Sequence, residues 1–254
     1  MIVMERLESE RIFHNFQASD RAAYYARHAQ DLFVKDENYL AHESWIRPAF
    51  RMLGDLHGRD LLDYGCGHGM ASVVMARQGA RVVGFDLSEG YIREAQLRAK
   101  VNQVDIQFQV ADAEELPFHD HSFDAVWGCA ILHHLDLAKA GRELRRILRP
   151  HGVAVFCEPW GGNPLLSLVR RYLPYPGKHR TRDEKPLQNS DLDPLRIHFP
   201  SLQMHGFQLL GMFRRFWNRE PGTNSRIDRW DQSLLAHVPI LQNWCRYMVI
   251  VLRA

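Results

Sequence analysis

The sequence has no continuous apolar segment of the roughly 20 residues that a membrane-spanning helix requires. Residues 1–10 contain no apolar core of signal-peptide length, so we expect no cleaved secretion signal. Only four cysteines occur, far apart and without a CxxC pair, which disfavours a zinc site or a disulfide framework. We therefore expect a cytoplasmic protein that has no membrane span and no structural metal.

Charge of one sign is not in excess, because 32 lysines and arginines balance 30 acidic residues to a formal net charge of +2. This balance gives no general attraction to nucleic acid, so we expect a small-molecule partner. The sequence also lacks internal repeats and low-complexity tracts. Its 254 residues, 46% hydrophobic and 24% charged, are typical of one globular domain with an elaboration.

Residues 61–72 pass from an apolar run through three alternating glycines into a helical pattern. These glycines are Gly65, Gly67 and Gly69. A strand, a glycine turn and a helix can hold a nucleoside-containing cofactor, because glycine lets the backbone approach a ligand and a helix start presents free N–H groups. A second predicted strand ends at Asp86, about 20 residues after Gly65, where an acid reaches the ribose hydroxyls in such units.

The glycine spacing disfavours a dinucleotide. The dinucleotide motif is GxGxxG, but here the third glycine comes one position early and Met70 takes the expected glycine position. Asp63, just before the turn, would repel a pyrophosphate and suits a ligand that carries an amino group and a sulfonium. These features resemble the class I S-adenosylmethionine-dependent methyltransferases, whose first motif reads much like the segment DYGCGHG.

The resemblance implies that S-adenosylmethionine is the cofactor, that S-adenosylhomocysteine is the product and that no metal takes part. The methyl group would move by in-line displacement to a hydroxyl, amine or carbon of a small-molecule metabolite, which could be anionic. Two alternatives stay open: a nicotinamide-dependent oxidoreductase on the same kind of sheet, and a module that binds S-adenosylmethionine without turnover.

Alternating strand and helix patterns predict an α/β fold with a mostly parallel sheet, in which ligands bind beyond the carboxyl ends of the strands. The resemblance extends this to a Rossmann-like, seven-stranded sheet flanked by helices, with an antiparallel last strand. We expect an N-terminal helical flap at residues 1–58, a methyltransferase domain at 59–254 and a substrate lid at 159–206. The strands are predicted at 60–64, 81–85, 105–110, 123–127, 152–158, 207–216 and 244–252. Helical patterns predict two helices within residues 1–58, one at 88–100 with Ser88 as its N-cap, and a short one at 230–241.

The predicted cofactor residues come from the glycine motif, from the strand that ends at Asp86 and from the resemblance. The expected set is Asp63, Gly65, Cys66, Gly67, Asp86, Leu87, Asp112, Ala113, Gly128 and Cys129. Asp112 and the backbone of Ala113 would hold the adenine by resemblance, although Asp112 also suits a cap on the turn at 113–116.

His133 and His134 are the candidate catalytic residues, because histidine titrates near neutral pH and both follow the predicted strand at 123–127. The alternative for one of them is a hydrogen-bonded structural residue that opens the next helix. Glu158, at the end of the predicted strand at 152–158, is the second candidate to meet the substrate.

Other candidate substrate residues lie in the flap and the lid. Tyr24 or Tyr25 could close over the cofactor, although helical aromatic residues usually pack in the core. Arg180 and Arg182 belong to a basic cluster that could meet an anionic substrate group, although exposed charge for solubility is the simpler interpretation.

Overall fold

The protein forms one seven-stranded sheet with the strand order β3-β2-β1-β4-β5-β7-β6. The computed structural model describes residues 2–172, 185–213 and 226–254. Strands β1 to β5 run parallel, and β7 is antiparallel to both of its neighbours, β5 and β6. This arrangement confirms the predicted fold class. The strands are Asp60–Tyr64 (β1), Arg81–Asp86 (β2), Gln107–Val110 (β3), Phe123–Cys129 (β4), Leu148–Pro159 (β5), Gln203–Phe207 (β6) and Tyr247–Arg253 (β7).

Helices cover both faces of the sheet. They are Ile2–Tyr25 (α1), Asp36–His42 (α2), Ile46–Met52 (α3), Met70–Arg77 (α4), Glu89–Val101 (α5), Leu137–Ile147 (α6), Pro164–Tyr172 (α7), Asp193–His198 (α8) and Arg226–His237 (α9). The segments Ala29–Leu32, Leu132–His134, Asn189–Leu192, Gly211–Phe213 and Pro239–Trp244 form short 3₁₀ turns. No helix in the described ranges is both long and apolar enough to cross a membrane.

Two side chains fix the starts of the helices that follow β2 and β4. The Ser88 hydroxyl accepts a hydrogen bond from the backbone N–H of Tyr91, as the sequence predicted for the start of α5. The Asp136 carboxylate accepts the backbone N–H groups of Ala138 and Lys139 at the start of α6. Both caps pair N–H groups that an uncapped helix would leave without partners.

The core lies on the two faces of the sheet because successive side chains of a strand point to opposite sides. Leu62 and Tyr64 of β1 are fully buried in one cluster, together with Leu144 of α6. Leu61, their neighbour on the same strand, is buried in the other cluster against Val74 of α4. The apolar β1 is therefore held from both sides, which fixes the glycine turn that follows it.

The structure corrects three sequence-based boundaries near the ends of the chain. Strand β6 occupies 203–207 rather than 207–216, because Gln208 takes a φ of +61° and the Asp231 carboxylate then accepts the N–H groups of Leu210 and Gly211. The predicted helix at 230–241 lies at 226–237, and the last strand starts at 247 instead of 244. Residues 1–58 contain three helices instead of two.

Several residues in the described part of the predicted lid, residues 159–206, pack into the core. Trp160, Leu192, Leu195 and Phe199 are each fully buried in the same cluster as Leu144 of α6. This part of the segment therefore acts as a layer of the domain, while residues 173–184 lie outside the described ranges.

Candidate active site

A cleft of about 200 Å³ opens at the carboxyl ends of β1, β2 and β4. Seven of the ten predicted cofactor residues line it, together with His134. These seven are Gly65, Gly67, Asp86, Leu87, Asp112, Ala113 and Cys129. They come from four separate chain segments, and the parallel sheet brings them to one edge, as the strand pattern predicted.

The turn after β1 requires glycine. Gly65 and Gly67 take φ values of +69° and +50°, in the left-handed region that residues with a Cβ rarely adopt. A Cβ on Gly65 would lie 2.9 Å from the Ile131 side chain, whereas a Cβ on Gly67 would meet nothing within 4 Å. Gly65 thus permits close packing, and Gly67 leaves open space at the cleft for a ligand to touch the backbone.

Asp86 closes the turn from the end of β2. Its Oδ2 accepts the Gly67 N–H at 2.9 Å, and its Oδ1 accepts the Ser88 N–H at 2.9 Å. Burial raises the pKa of the Asp86 carboxyl, although these backbone donors and the nearby His14 favour its ionised form. Each carboxylate oxygen has a second lone pair, so the group can also accept the hydroxyl pair of a ribose.

Three predicted cofactor residues do not line the cleft. Asp63 is buried and accepts a hydrogen bond from the Ser72 hydroxyl; burial raises the pKa of the Asp63 carboxyl to about 7. The Cys66 thiol is buried, and a Cβ on Gly84 would lie 3.2 Å from its sulfur. Gly128 makes room for the Phe156 ring, which a Cβ would meet at 2.4 Å.

Asp112 and Ala113 line the cleft and also shape the backbone beside it. The Asp112 Oδ1 accepts the Glu114 N–H at 2.8 Å, so the capping role considered from the sequence is present. The Tyr64 hydroxyl donates to the carbonyl oxygen of Ala113 at 2.5 Å. The first bond shapes the turn within the segment after β3, and the second holds that segment against the end of β1.

The two adjacent histidines occupy different environments. His133 is buried, and its Nδ1 lies 2.7 Å from Oε2 of Glu158. The other oxygen of Glu158 accepts the N–H groups of Ile131 and Leu132, both at 2.9 Å. His134 lines the cleft instead, with its ring centroid 4.1 Å from that of His133. Glu158 is fully buried under this turn and does not face the cleft.

Helix α1 lies over the cleft, but its tyrosines do not line it. The Tyr24 hydroxyl donates to Asp31, and the Arg21 guanidinium stands over the Tyr25 ring. Sequence reasoning missed the α1 residues that do line the cleft, which are Leu7, Glu10 and His14. Their spacing of three and four places them on one helix face, which is the signal that could have found them.

Glu10 lies between two histidines at the cleft. Its Oε2 is 3.3 Å from Nε2 of His14, and its Oε1 is 3.3 Å from Nδ1 of His134. Burial opposes the protonated form of His14, but Glu10 and the Asp86 carboxylate outweigh it, so the pKa of His14 lies above its usual value. Nδ1 of His14 is buried and has no hydrogen-bond partner among the described residues.

Side chains of α1 hold the helix against the start of α5. The Asn15 Oδ1 accepts the Ser88 hydroxyl at 2.7 Å, and the Gln17 Oε1 accepts the Tyr91 hydroxyl at 2.8 Å. A Cβ on Gly90 would lie 2.6 Å from the Ala18 Cβ, so the two helices approach closely there.

Among the described residues, no cluster of three or more metal-binding side chains occurs. Arg180 and Arg182 lie outside the described residues.

Residues 62–156 match the family model described as a methyltransferase domain. The 27-O-demethylrifamycin SV methyltransferase of Amycolatopsis mediterranei is 40% identical over 124 residues, which are 46% of each chain. The ubiquinone biosynthesis O-methyltransferase of Alkalilimnicola ehrlichii is 39% identical over 106 residues, 41% of this chain and 43% of that protein. The chain spans about half the length of the curated relatives it matches.

The fold is also that of a solved structure. An S-adenosylmethionine-dependent methyltransferase from Thermotoga maritima, described as a possible histamine N-methyltransferase, superposes with a TM-score of 0.61. The match covers 96% of this chain and 98% of that chain at 15% sequence identity. At this identity the likeness shows the shared fold alone.

Proposed function

We propose that this chain, which carries a domain of the class I S-adenosylmethionine-dependent methyltransferase family, methylates a small-molecule acceptor that loses a proton in the reaction. The observation that carries the proposal is the meeting of Gly67, Asp86 and His134 at one cleft. The first two suit the nucleoside of the cofactor, and the third suits removal of a proton from the acceptor.

The chemistry of the cleft residues fits S-adenosylmethionine. The Asp86 carboxylate can accept the ribose hydroxyls, and the open space at Gly67 admits the ligand next to the backbone. His14 lines the same cleft and offers a buried Nδ1 that has no hydrogen-bond partner among the described residues. Asp112 and Ala113 are suited to the adenine side of the ligand.

When bound, S-adenosylmethionine would supply an electrophilic methyl group, because its sulfonium can leave as a neutral thioether that keeps the bonding electron pair. The protein then has to align the acceptor, exclude water and take up the acceptor proton. His134 lines the cleft and is the residue we assign to that last task. His133 faces Glu158 instead and fixes the turn.

A hydroxyl on an apolar, ring-containing molecule is the acceptor class we favour. A neutral hydroxyl is a poor nucleophile, so it gains from a base such as His134. Apolar side chains of Leu7, Ile131 and Leu135 line the cleft around that histidine. Two relatives are named for transfer to oxygen, in rifamycin and in ubiquinone biosynthesis. A third relative, from Gibberella zeae, is named as a sterol 24-C-methyltransferase, which makes carbon the second candidate acceptor atom.

Cellular location and substrate charge follow as parts of the same proposal. All four cysteines are free thiols, which supports a reducing compartment such as the cytoplasm. An anionic acceptor would be met by Arg180 and Arg182, so neutralising both should raise its KM several-fold.

Ligand binding and turnover test the proposal in two steps. Calorimetry should detect binding of S-adenosylmethionine and S-adenosylhomocysteine, while NADH and NADPH should leave the melting temperature unchanged. Labelled methyl groups should then appear on catechol or 1,4-dihydroxynaphthalene. His134→Ala should lower kcat and leave cofactor affinity nearly intact. Stabilisation by NADPH alone would support the oxidoreductase alternative, and cofactor binding without transfer to any acceptor would support the non-catalytic one.

A further inference from the structure

We propose that Glu10 is a positioning residue for His134: its carboxylate holds the Nδ1 hydrogen of the ring, so that Nε2 is the atom that accepts the acceptor's proton. This inference rests on the proposed function, because the role requires a proton to be removed at the cleft. It assigns a part in the reaction to helix α1, which lies before residues 62–156, the segment that the family model matches.

The geometry places the Glu10 carboxylate beside Nδ1 of His134, the ring nitrogen that does not take the acceptor's proton. Oε1 of Glu10 is 3.3 Å from Nδ1 of His134. This distance is at the long end of hydrogen bonding, and such contacts in a site without substrate often tighten in the reacting complex. Because an imidazole with a proton on Nδ1 keeps its lone pair on Nε2, a carboxylate at Nδ1 selects the tautomer that can act as a base.

Low exposure makes this contact effective. The side chains of Glu10 and His134 are only 11% and 16% exposed, so little water screens the charge of the carboxylate. When His134 takes up a proton from the acceptor hydroxyl, it becomes a cation next to that carboxylate. The attraction stabilises the cation while the acceptor oxygen bonds to the methyl carbon, and the proton is later released to water.

The neighbouring histidine shows that each ring has its own carboxylate. His133 faces Glu158 from inside the sheet, at 2.7 Å, and both of those side chains are closed off from solvent. His134, the one that lines the cleft, faces Glu10 from the opposite side. The carboxylate for the cleft-facing ring therefore comes from α1 and not from the sheet.

Glu10 is held in place by its own helix and by the contacts of α1. His14 lies one turn further on, and its Nε2 is 3.3 Å from the second oxygen of Glu10. Asn15 and Gln17 bind the start of α5, which fixes the position of the helix over the cleft. The His134 base is therefore complete only while α1 is docked.

A substitution with a matched control tests the role. Glu10→Gln removes the charge at the cleft, whereas Glu8→Gln makes the same change on the same helix at an exposed residue that pairs with Arg11. With 1,4-dihydroxynaphthalene as the acceptor, Glu10→Gln should lower kcat by about tenfold to a hundredfold. The Kd of S-adenosylmethionine by calorimetry should stay within about twofold of wild type. Glu8→Gln should match wild type in both.

A double variant distinguishes positioning from a separate effect. If Glu10 acts through His134, Glu10→Gln combined with His134→Ala should be no slower than His134→Ala alone. Losses that multiply, or a Glu10→Gln variant that matches Glu8→Gln, would overturn the inference.

A spectroscopic measurement decides the matter without turnover. In protein with ¹⁵N-labelled histidine, the ring nitrogens of His134 (identified by their loss in His134→Ala) should report a proton on Nδ1 at mildly alkaline pH. Glu10→Ala should move the population toward the tautomer with the proton on Nε2. Unchanged shifts overturn the positioning role, while a wild-type protein that binds no S-adenosylmethionine overturns the proposed function and leaves the tautomer result standing.

Discussion

Nδ1 of His133 lies 2.7 Å from Oε2 of Glu158, and neither side chain reaches solvent. The pair joins the turn after β4 to the end of β5, because the other oxygen of Glu158 accepts two backbone N–H groups of that turn. One carboxylate thus satisfies three donors that would otherwise be buried without partners. Its effect is to aim the next residue, His134, into the cleft.

Replacing Glu158 by glutamine should destabilise the protein. An amide has one accepting oxygen, so its NH₂ group must face either the backbone donors or His133, and a buried hydrogen bond is lost. We expect the free energy of unfolding to fall by about 1–3 kcal/mol, measured by chemical denaturation. Glu115→Gln, at an exposed residue, is the control. Equal stability of the two variants would show that Glu158 does not fix the turn.

Asp86→Asn should weaken binding of S-adenosylmethionine by about 1–3 kcal/mol, because a charged acceptor of the ribose hydroxyls is lost. The NH₂ group of the amide would also face the backbone N–H of either Gly67 or Ser88, so one of these two hydrogen bonds is lost. Calorimetry measures the change, and Asp105→Asn, at an exposed residue before β3, controls for net charge. Wild-type affinity in Asp86→Asn would refute the ribose assignment.

The two turn glycines should respond differently to alanine. Gly65→Ala brings a Cβ within 2.9 Å of Ile131, so the melting temperature should fall along with cofactor affinity. Gly67→Ala enters open space, so it should cost only about 1 kcal/mol of stability for its positive φ. The larger effect of Gly67→Ala should be on cofactor affinity, since the alanine side chain would occupy space in the cleft. Thermal melts and calorimetry on both variants separate the effects; equal affinity losses with equal melting temperatures would contradict the assignment.

Asp63 should make stability depend on pH. Its pKa is raised from 3.8 to about 7 because burial disfavours the carboxylate, so folding favours the protonated form. The resulting loss of unfolding free energy is absent below the pKa of Asp63 in the unfolded chain. It grows as the pH rises and is complete above the pKa of Asp63 in the folded protein. Asp63→Asn keeps an acceptor for Ser72 and removes this penalty. Relative to wild type, it should gain about 2 kcal/mol of unfolding free energy between about pH 5.5 and pH 8.5.

Denaturant titrations at the two pH values measure the effect. A difference between wild type and Asp63→Asn that stays constant with pH would show that the carboxyl is ionised throughout. A binding experiment extends the test: if the cationic cofactor favours the carboxylate of Asp63, its binding at neutral pH should release protons in wild type and none in Asp63→Asn.

Much of the fold was predictable because its signals are local. The apolar run before Gly65, the acid at Asp86 and the cap at Ser88 each act within a few residues, and each predicted element is present in the structure. The edge of the sheet was less predictable. Strand β6 ends at 207 because of Asp231, which lies more than 20 residues further along the chain and gives no local signal.

The candidate site was likewise predictable only in part. Gly65, Gly67, Asp86 and Asp112 reach the cleft because strand order and chain direction bring the carboxyl ends of parallel strands together. The tyrosines of α1 were poorer candidates, because a helix has several faces and its sequence does not say which one docks.

By itself, the sequence determined the strand, glycine turn and helix that border the cleft, since those depend on missing Cβ atoms and on spacing along the chain. Only the tertiary structure decided which of His133 and His134 meets the cleft, and that Glu10 comes to lie beside it. The reason is physical: those contacts join residues from 25 to more than 100 positions apart, and packing of whole elements brings them within reach.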